Sequence, residues 1–241
     1  MANDAGYWAL VPAAGSGRRM GADVPKQYLP LSGLPVLAHT LIRLAGFPGL
    51  RGIVVGLAPD DPYWPQVEAQ VANLPVPLHV CEGGAERADT VINALRHLRA
   101  EADAGDWVLV HDAARPCVRH EDIHKLIEAA ADGEDGAILA LPVSDTIKRC
   151  DPLGWIESTV DRSTLWRALT PQLFPMEPLL EALEAAQADG VVVTDEAMAI
   201  ERSGRRPRCV PAHADNIKIT YNEDLALADF YLAEQAAEAP E

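Results

Sequence analysis

Short apolar runs rich in β-branched residues recur along this chain at 8–12, 52–57, 78–81, 107–111 and 136–141, and helical patterns separate them. The stretch 35–45 (PVLAHTLIRLA) carries apolar residues at helical spacing. The stretch 63–74 is a weaker helix, 87–101 puts Val91, Ile92, Leu95 and Leu98 on one side, and 122–131 forms a fourth. Few architectures accept that alternation. It predicts βαβ units and an α/β sandwich with a mainly parallel central sheet covered on both faces. The 241 residues, 49% of them apolar, fit a single domain over 1–241 with ample core. In such sheets ligands sit outside the carboxyl ends of the strands, so the loops there are where function should be sought.

Three of those loops carry chemistry. The first strand ends at Pro12 and runs into Ala13, Ala14, Gly15, Ser16 and Gly17, whose small side chains let backbone N–H groups approach an anion; Arg18, Arg19 and Lys26 add charge. Gly15 and Gly17 begin a dinucleotide fingerprint, but Met20 stands where its third glycine belongs, and 24–59 contain no acidic residue to hold a ribose. No P-loop can be drawn through these glycines either. The loop reads as a phosphate cradle of another kind or as an ordinary strand-to-helix turn with solvated arginines. The third strand leads into EGGAER, where Gly83 and Gly84 permit backbone contacts to a flat group and Arg87 and Thr90 open the next helix. The fourth leads into HDAARP, where Asp112 is placed to hold a metal ion or a ribose hydroxyl, and Arg115 to pair with Asp112 as a structural salt bridge.

Charge narrows the partners. Lys and Arg total 20 against 36 Asp and Glu, a formal charge of -16, which argues against a protein that coats nucleic acid or an anionic membrane. Basic residues gathered in one loop of an acidic chain suit a small anion. Cys81, Cys117, Cys150 and Cys209 lack zinc-ligand spacing and read as reduced thiols of a cytoplasmic protein. No targeting segment or membrane span is expected.

After Pro142 the pattern turns polar. Two extended arms around DPLG predict a hairpin within 144–163 projecting from the sheet, and its Trp155 needs a surface to cover, either a second copy or its own domain. Helices are expected at 178–188 and 196–202, the latter capped by Thr194 or Asp195, with short strands at 208–210 and 216–220 and a closing helix at 224–236.

Taken together, PAAGSGRRM, PKQY, GGAERADTV, VLVHDAARP, PVSDTIKR, TVDRSTLWRALTPQ, VTDE, ADNIKIT and LALADFYL resemble, in order and over nearly the whole chain, the 2-C-methyl-D-erythritol 4-phosphate cytidylyltransferases. The resemblance implies a nucleotidyltransferase fold, CTP and a polyol phosphate as substrates, magnesium, and a homodimer held by the 144–163 arm. It implies roles for residues as well. Pro12, Ala13, Ala14, Gly15, Gly17, Gly84, Arg87, Thr90, Asp112 and Ala113 would bind the nucleotide, and Arg19 and Lys26 would stabilise the triphosphate. Arg162 and Lys218 would place the attacking phosphate, with Arg115, Thr146, Thr170 and Thr194 around it and some of these supplied by the partner's arm. Asp112 and Asp215 are the metal candidates. Ala85 departs from the acidic residue expected after the glycine pair, which bears on base selection. Two rival readings stand beside this one: a cytidylyltransferase for another polyol phosphate such as ribitol 5-phosphate, and a catalytically idle nucleotide-binding protein of the same fold. No general base is expected among the seven histidines, since a phosphate nucleophile is already ionised.

Overall fold

The structure, a computed structural model, describes residues 6–15, 24–103, 105–131, 133 and 135–238. In chain order the elements are β1 (Tyr7–Pro12), β2 (Pro30–Leu31), β3 (Leu34–Pro35), α1 (Val36–Ala45), β4 (Leu50–Leu57), α2 (Trp64–Gln70), β5 (Leu78–Glu82), α3 (Arg87–Leu98), β6 (Trp107–Val110) and α4 (His120–Ala131). They continue with β7 (Ala137–Pro142), β8 (Ile147–Cys150), β9 (Ile156–Val160), β10 (Trp166–Pro175), α5 (Met176–Ala188), α6 (Glu196–Arg202), β11 (Arg208–Pro211) and α7 (Glu223–Glu238). None of the described helices is long and apolar enough to cross a membrane.

Seven strands form one sheet in the order β11-β7-β10-β6-β1-β4-β5. Every neighbouring pair is parallel except those made by β10, which runs antiparallel to both β6 and β7. Strand order reverses at β1, so the crevice beside its carboxyl end is a topological switch point. The period of two along each strand divides the core. Ala9, Val11, Ile53, Val55 and Leu109 pack with α1, α2 and α4 on one face, while Trp8, Leu10, Val54, Val108 and Val110 pack with α3, α5 and α6 on the other. At the opposite edge the buried carboxylate of Asp106 accepts from Gly6 N (2.7 Å), Trp8 Nε1 (2.9 Å) and Arg51 Nη1 (3.1 Å), pinning the start of β1 to that of β6.

Two strand expectations change. The ten-residue β10 lies in the polar stretch beyond the expected hairpin, where no strand is expected, and it fills the slot between β6 and β7. Pro171, which has no N–H to give a ladder, falls in a register irregularity between Ala168 and Gln172. The expected strand at 216–220 is not one. Ile219 N donates to Ala114 O (2.9 Å), and its buried side chain enters a satellite cluster with Leu31, Val36, Cys117 and Ala228 beside α7. Apolar residues at alternate positions there reflect packing into that cluster rather than a sheet register.

The expected hairpin is present as the antiparallel pair β8–β9. Its place in the topology is simple: Pro142 of β7 and Trp166 of β10 are direct partners, and Val143 N donates to Leu165 O (3.0 Å), so 143–165 form the loop of one long β7–β10 hairpin.

Candidate functional site

Backbone turns build the first wall. After β1, Ala13 N donates to Gly56 O (2.8 Å), and the buried side-chain amide of Gln27 donates to Ala13 O (2.8 Å) and Gly15 O (3.0 Å), clamping the start of the glycine loop. The Gly83–Gly84 turn presses against it. A Cβ on Gly83 would stand 2.4 Å from the Ala14 Cβ, and one on Gly84 would stand 2.2 Å from the Asp89 Cβ and 3.0 Å from its carbonyl carbon. Glycine is therefore needed for close approach of two backbones and a helix start. Thr90 Oγ1 accepts from Gly84 N (3.0 Å) and donates to Glu86 O (3.2 Å), fixing the turn to the first turn of α3.

Charged side chains build the second wall, centred on Asp112 just beyond β6. Its Oδ1 takes Arg87 Nε at 3.3 Å, and its Oδ2 takes Lys218 Nζ at 2.9 Å and Arg115 Nε at 3.2 Å. Burial alone would raise this carboxyl, but Arg87, Lys218 and Arg115 overcome it and hold Asp112 well below the usual carboxylate range. Burial likewise acts to lower Arg87, and the carboxylates of Glu196 and Asp112 outweigh it, keeping the guanidinium firmly charged. Glu196 grips Arg87 with both oxygens, at 2.5 Å to Nη1 and 3.2 Å to Nη2. Lys26 Nζ donates to Ile219 O (3.0 Å), which draws the first loop to the segment carrying Lys218.

A buried polar layer supports these groups. Thr170 Oγ1 accepts from Asp112 N (3.0 Å) and pairs with His111 Nδ1 (3.0 Å), and His111 Nε2 meets Arg115 O (2.9 Å). Asn216 Nδ2 donates to Thr170 O (2.8 Å), while the main-chain carbonyl of Asn216 accepts from Arg115 Nη1 (2.7 Å). Burial pushes the His111 imidazole down to about 4, partly offset by its bond to Arg115 O, so it is neutral near pH 7. His111 thus has a structural place beneath the site.

These walls enclose a cavity of about 340 Å³. Of the residues singled out from sequence, Pro12, Ala13, Ala14, Gly15, Lys26, Gly84, Arg87, Thr90, Asp112, Ala113 and Lys218 line it, together with Ala85. Arg115 and Thr170 lie buried behind Asp112. Gly17 and Arg19 fall outside the described residues. Thr146, Arg162 and Thr194 are exposed and do not line the cavity; Arg162, in the turn after β9, donates to Ser144 O of its own chain. Asp195, not Thr194, caps α6, accepting from Met198 N at 3.0 Å. Asp215 also lies apart from the described lining, with its Oδ2 held by Arg119 Nε (2.7 Å) and Gln235 Nε2 (2.8 Å). Gln27, Glu196 and Asn216 sit within PKQY, VTDE and ADNIKIT, but their importance depends on tertiary contacts that no local pattern announces.

Among the described residues there is no group of three or more His, Cys, Asp or Glu able to hold a metal ion. Asp112 is the one carboxylate among the described residues of the lining, and both of its oxygens already face cations.

Comparison with known proteins matches residues 7–234 to the family profile of 2-C-methyl-D-erythritol 4-phosphate cytidylyltransferase. A protein of that name from Vibrio vulnificus is 52% identical over 227 residues, covering 94% of each chain. A crystal structure of 4-diphosphocytidyl-2C-methyl-D-erythritol synthase aligns with a TM-score of 0.81 at 37% identity, covering 96% of this chain and 100% of the other. The Francisella tularensis cytidylyltransferase structure aligns with a TM-score of 0.81 at 34% identity, over 94% and 100% of the two chains.

Proposed function

The chain belongs to the 2-C-methyl-D-erythritol 4-phosphate cytidylyltransferase family, and from that premise we propose how its residues divide the reaction between them. It is a nucleotidyltransferase of non-mevalonate isoprenoid biosynthesis, converting CTP and 2-C-methyl-D-erythritol 4-phosphate to 4-diphosphocytidyl-2-C-methyl-D-erythritol and pyrophosphate. A phosphate oxygen of the acceptor attacks the α-phosphorus of CTP, a new P–O bond forms, and the bond to the β-phosphate breaks. Two anions must meet, so repulsion is the first barrier, and catalysis rests on positioning and electrostatic stabilisation.

In this reading the 13–15 and 83–84 turns hold the cytidine, with Thr90 beside the base. Lys26 and Arg19 stabilise the triphosphate as charge moves onto the leaving pyrophosphate. Lys218 and Arg162 hold the attacking phosphate, and Thr146, Thr170 and Thr194 surround it. The observation that carries the reading is that Lys26, Arg87, Asp112 and Lys218 line one cavity with both glycine turns, at the carboxyl edge of the sheet.

Magnesium, when bound, would neutralise phosphate charge. Asp112 is the carboxylate among the described lining residues that could meet it, and magnesium ordinarily takes most of its oxygens from phosphates and water. We place the enzyme in the cytoplasm, consistent with its four free cysteines. We further propose that it acts as a homodimer: the 144–163 arm of one subunit reaches the other and delivers Arg162 and Thr146. Exposure of Leu153 (83%), Trp155 (74%) and Ile156 (65%) on a two-stranded ribbon supports this, because such a ribbon is barely stable without a surface to cover.

Pyrophosphate release from CTP, measured separately with 2-C-methyl-D-erythritol 4-phosphate and with ribitol 5-phosphate, tests the assignment. Release with the first alone is expected; release only with the second would move the enzyme to the other polyol, and none with either would mark an idle nucleotide-binding protein.

A further inference from the structure

We propose that Glu196 is a positioning residue for nucleotidyl transfer, acting through Arg87 to orient Asp112 and, through Asp112, Lys218. The inference rests on the cytidylyltransferase reading above. Glu196 is 1% exposed, opens α6, and does not line the cavity, so it reaches the substrates only through others. Its two oxygens hold Nη1 and Nη2 of Arg87, and a two-point grip fixes the guanidinium plane as a one-point contact cannot. The third guanidinium nitrogen, Nε, then points at Asp112 Oδ1 (3.3 Å), and Asp112 Oδ2 holds Lys218 Nζ (2.9 Å). Arg87, Asp112 and Lys218 all line the cavity. The chain of contacts therefore runs from a buried anchor to the cation assigned to the attacking phosphate.

Charge gives the inference a signature. Arg87, Arg115 and Lys218 against Asp112 and Glu196 leave the cluster one positive charge. Glu196→Gln adds a second and frees Arg87 to turn toward incoming phosphates, while Asp112 and Lys218 lose their fixed geometry. CTP should bind as well as before or more tightly, while the acceptor is held badly.

The test is steady-state pyrophosphate release and calorimetric CTP binding for the parent, Glu196→Gln, Arg87→Gln and the double variant, with folding checked by circular dichroism. Glu196→Gln is expected to lower kcat on the order of tenfold and raise KM for the polyol phosphate severalfold, with the CTP dissociation constant unchanged or lower. The double variant should be no worse than Arg87→Gln alone, since Glu196 acts through that residue. Parental kinetics in folded Glu196→Gln would overturn the proposal, as would additive losses in the double variant. So would a fall in kcat with both KM values unchanged, which is the mark of a smaller folded fraction. Should Glu196→Gln not fold, Glu196→Asp keeps the charge but withdraws it by one methylene; it should show the same split more weakly, and parental behaviour there is equally fatal. An active parent with a parental variant sinks this proposal alone, whereas a parent that releases no pyrophosphate sinks the catalytic reading with it.

Discussion

Lys26 stands where the glycine loop and the 217–220 segment meet, its ammonium on the Ile219 carbonyl at the cavity wall. Removing a donor that acts mainly as charge develops lowers kcat more than ground-state binding, so Lys26→Ala should reduce turnover on the order of a hundredfold or more. Steady-state pyrophosphate release checks this, and unchanged turnover would take Lys26 out of the mechanism. Gly84 makes a steric prediction. An added methyl would meet the Asp89 Cβ and main chain at the start of α3, and those atoms cannot swing aside. Gly84→Ala is expected to cost about 1–3 kcal/mol in urea unfolding and to weaken CTP binding in calorimetry. The need for glycine at 83 and 84 was legible in the sequence. The reason was not, because it lies in contacts with Ala14 and Asp89 that form only when three elements meet.

The arm offers a test that no single variant provides. With Arg162 delivered in trans, a mixed dimer of Lys26→Ala and Arg162→Ala subunits contains one site with both residues intact and one with neither. Mixing the two weakly active proteins and allowing exchange should restore about a quarter of parental activity, as random pairing in a two-fold dimer requires. No recovery after exchange shown by sedimentation would mean that Arg162 serves its own chain. The hairpin itself was readable from DPLG between two extended arms, and most crossover helices from their apolar spacing. The strand β10 was not. Its first half, Trp166–Thr170, faces partly outward, and Pro171 interrupts it; pairing with β7 makes the first half a strand, and pairing with both β6 and β7 the second. Conversely, Ile217 and Ile219 alternate as a strand would yet serve the cluster beneath α7.

Across the whole molecule, buried ionisable groups near the site tie stability to pH. The His111 imidazole has a folded pKa of about 4, below its ordinary 6.5, so on acidification the unfolded chain takes up the proton first. Stability should therefore fall between about pH 6.5 and 4, by on the order of 3 kcal/mol from this group. Asp112 has the opposite chemistry and the same sign: its depressed pKa contributes stability that is present above about pH 4 and is lost as pH falls further. Urea unfolding across this range should show the decline, with a flatter slope between pH 6.5 and 4 in His111→Gln. The direct pairing of Pro142 with Trp166 carries a consequence for the assembly. Strands β7 and β10 are antiparallel neighbours in both chain and space, so a turn of a few residues could join them. The arm is thus an ornament on a joint that is already closed, and the catalytic body can be separated from the proposed pairing of subunits. Replacing 144–164 by a tight turn should yield a folded, CTP-binding, solitary subunit that has lost transfer, the nearest this fold comes to an enzyme with its second half unplugged.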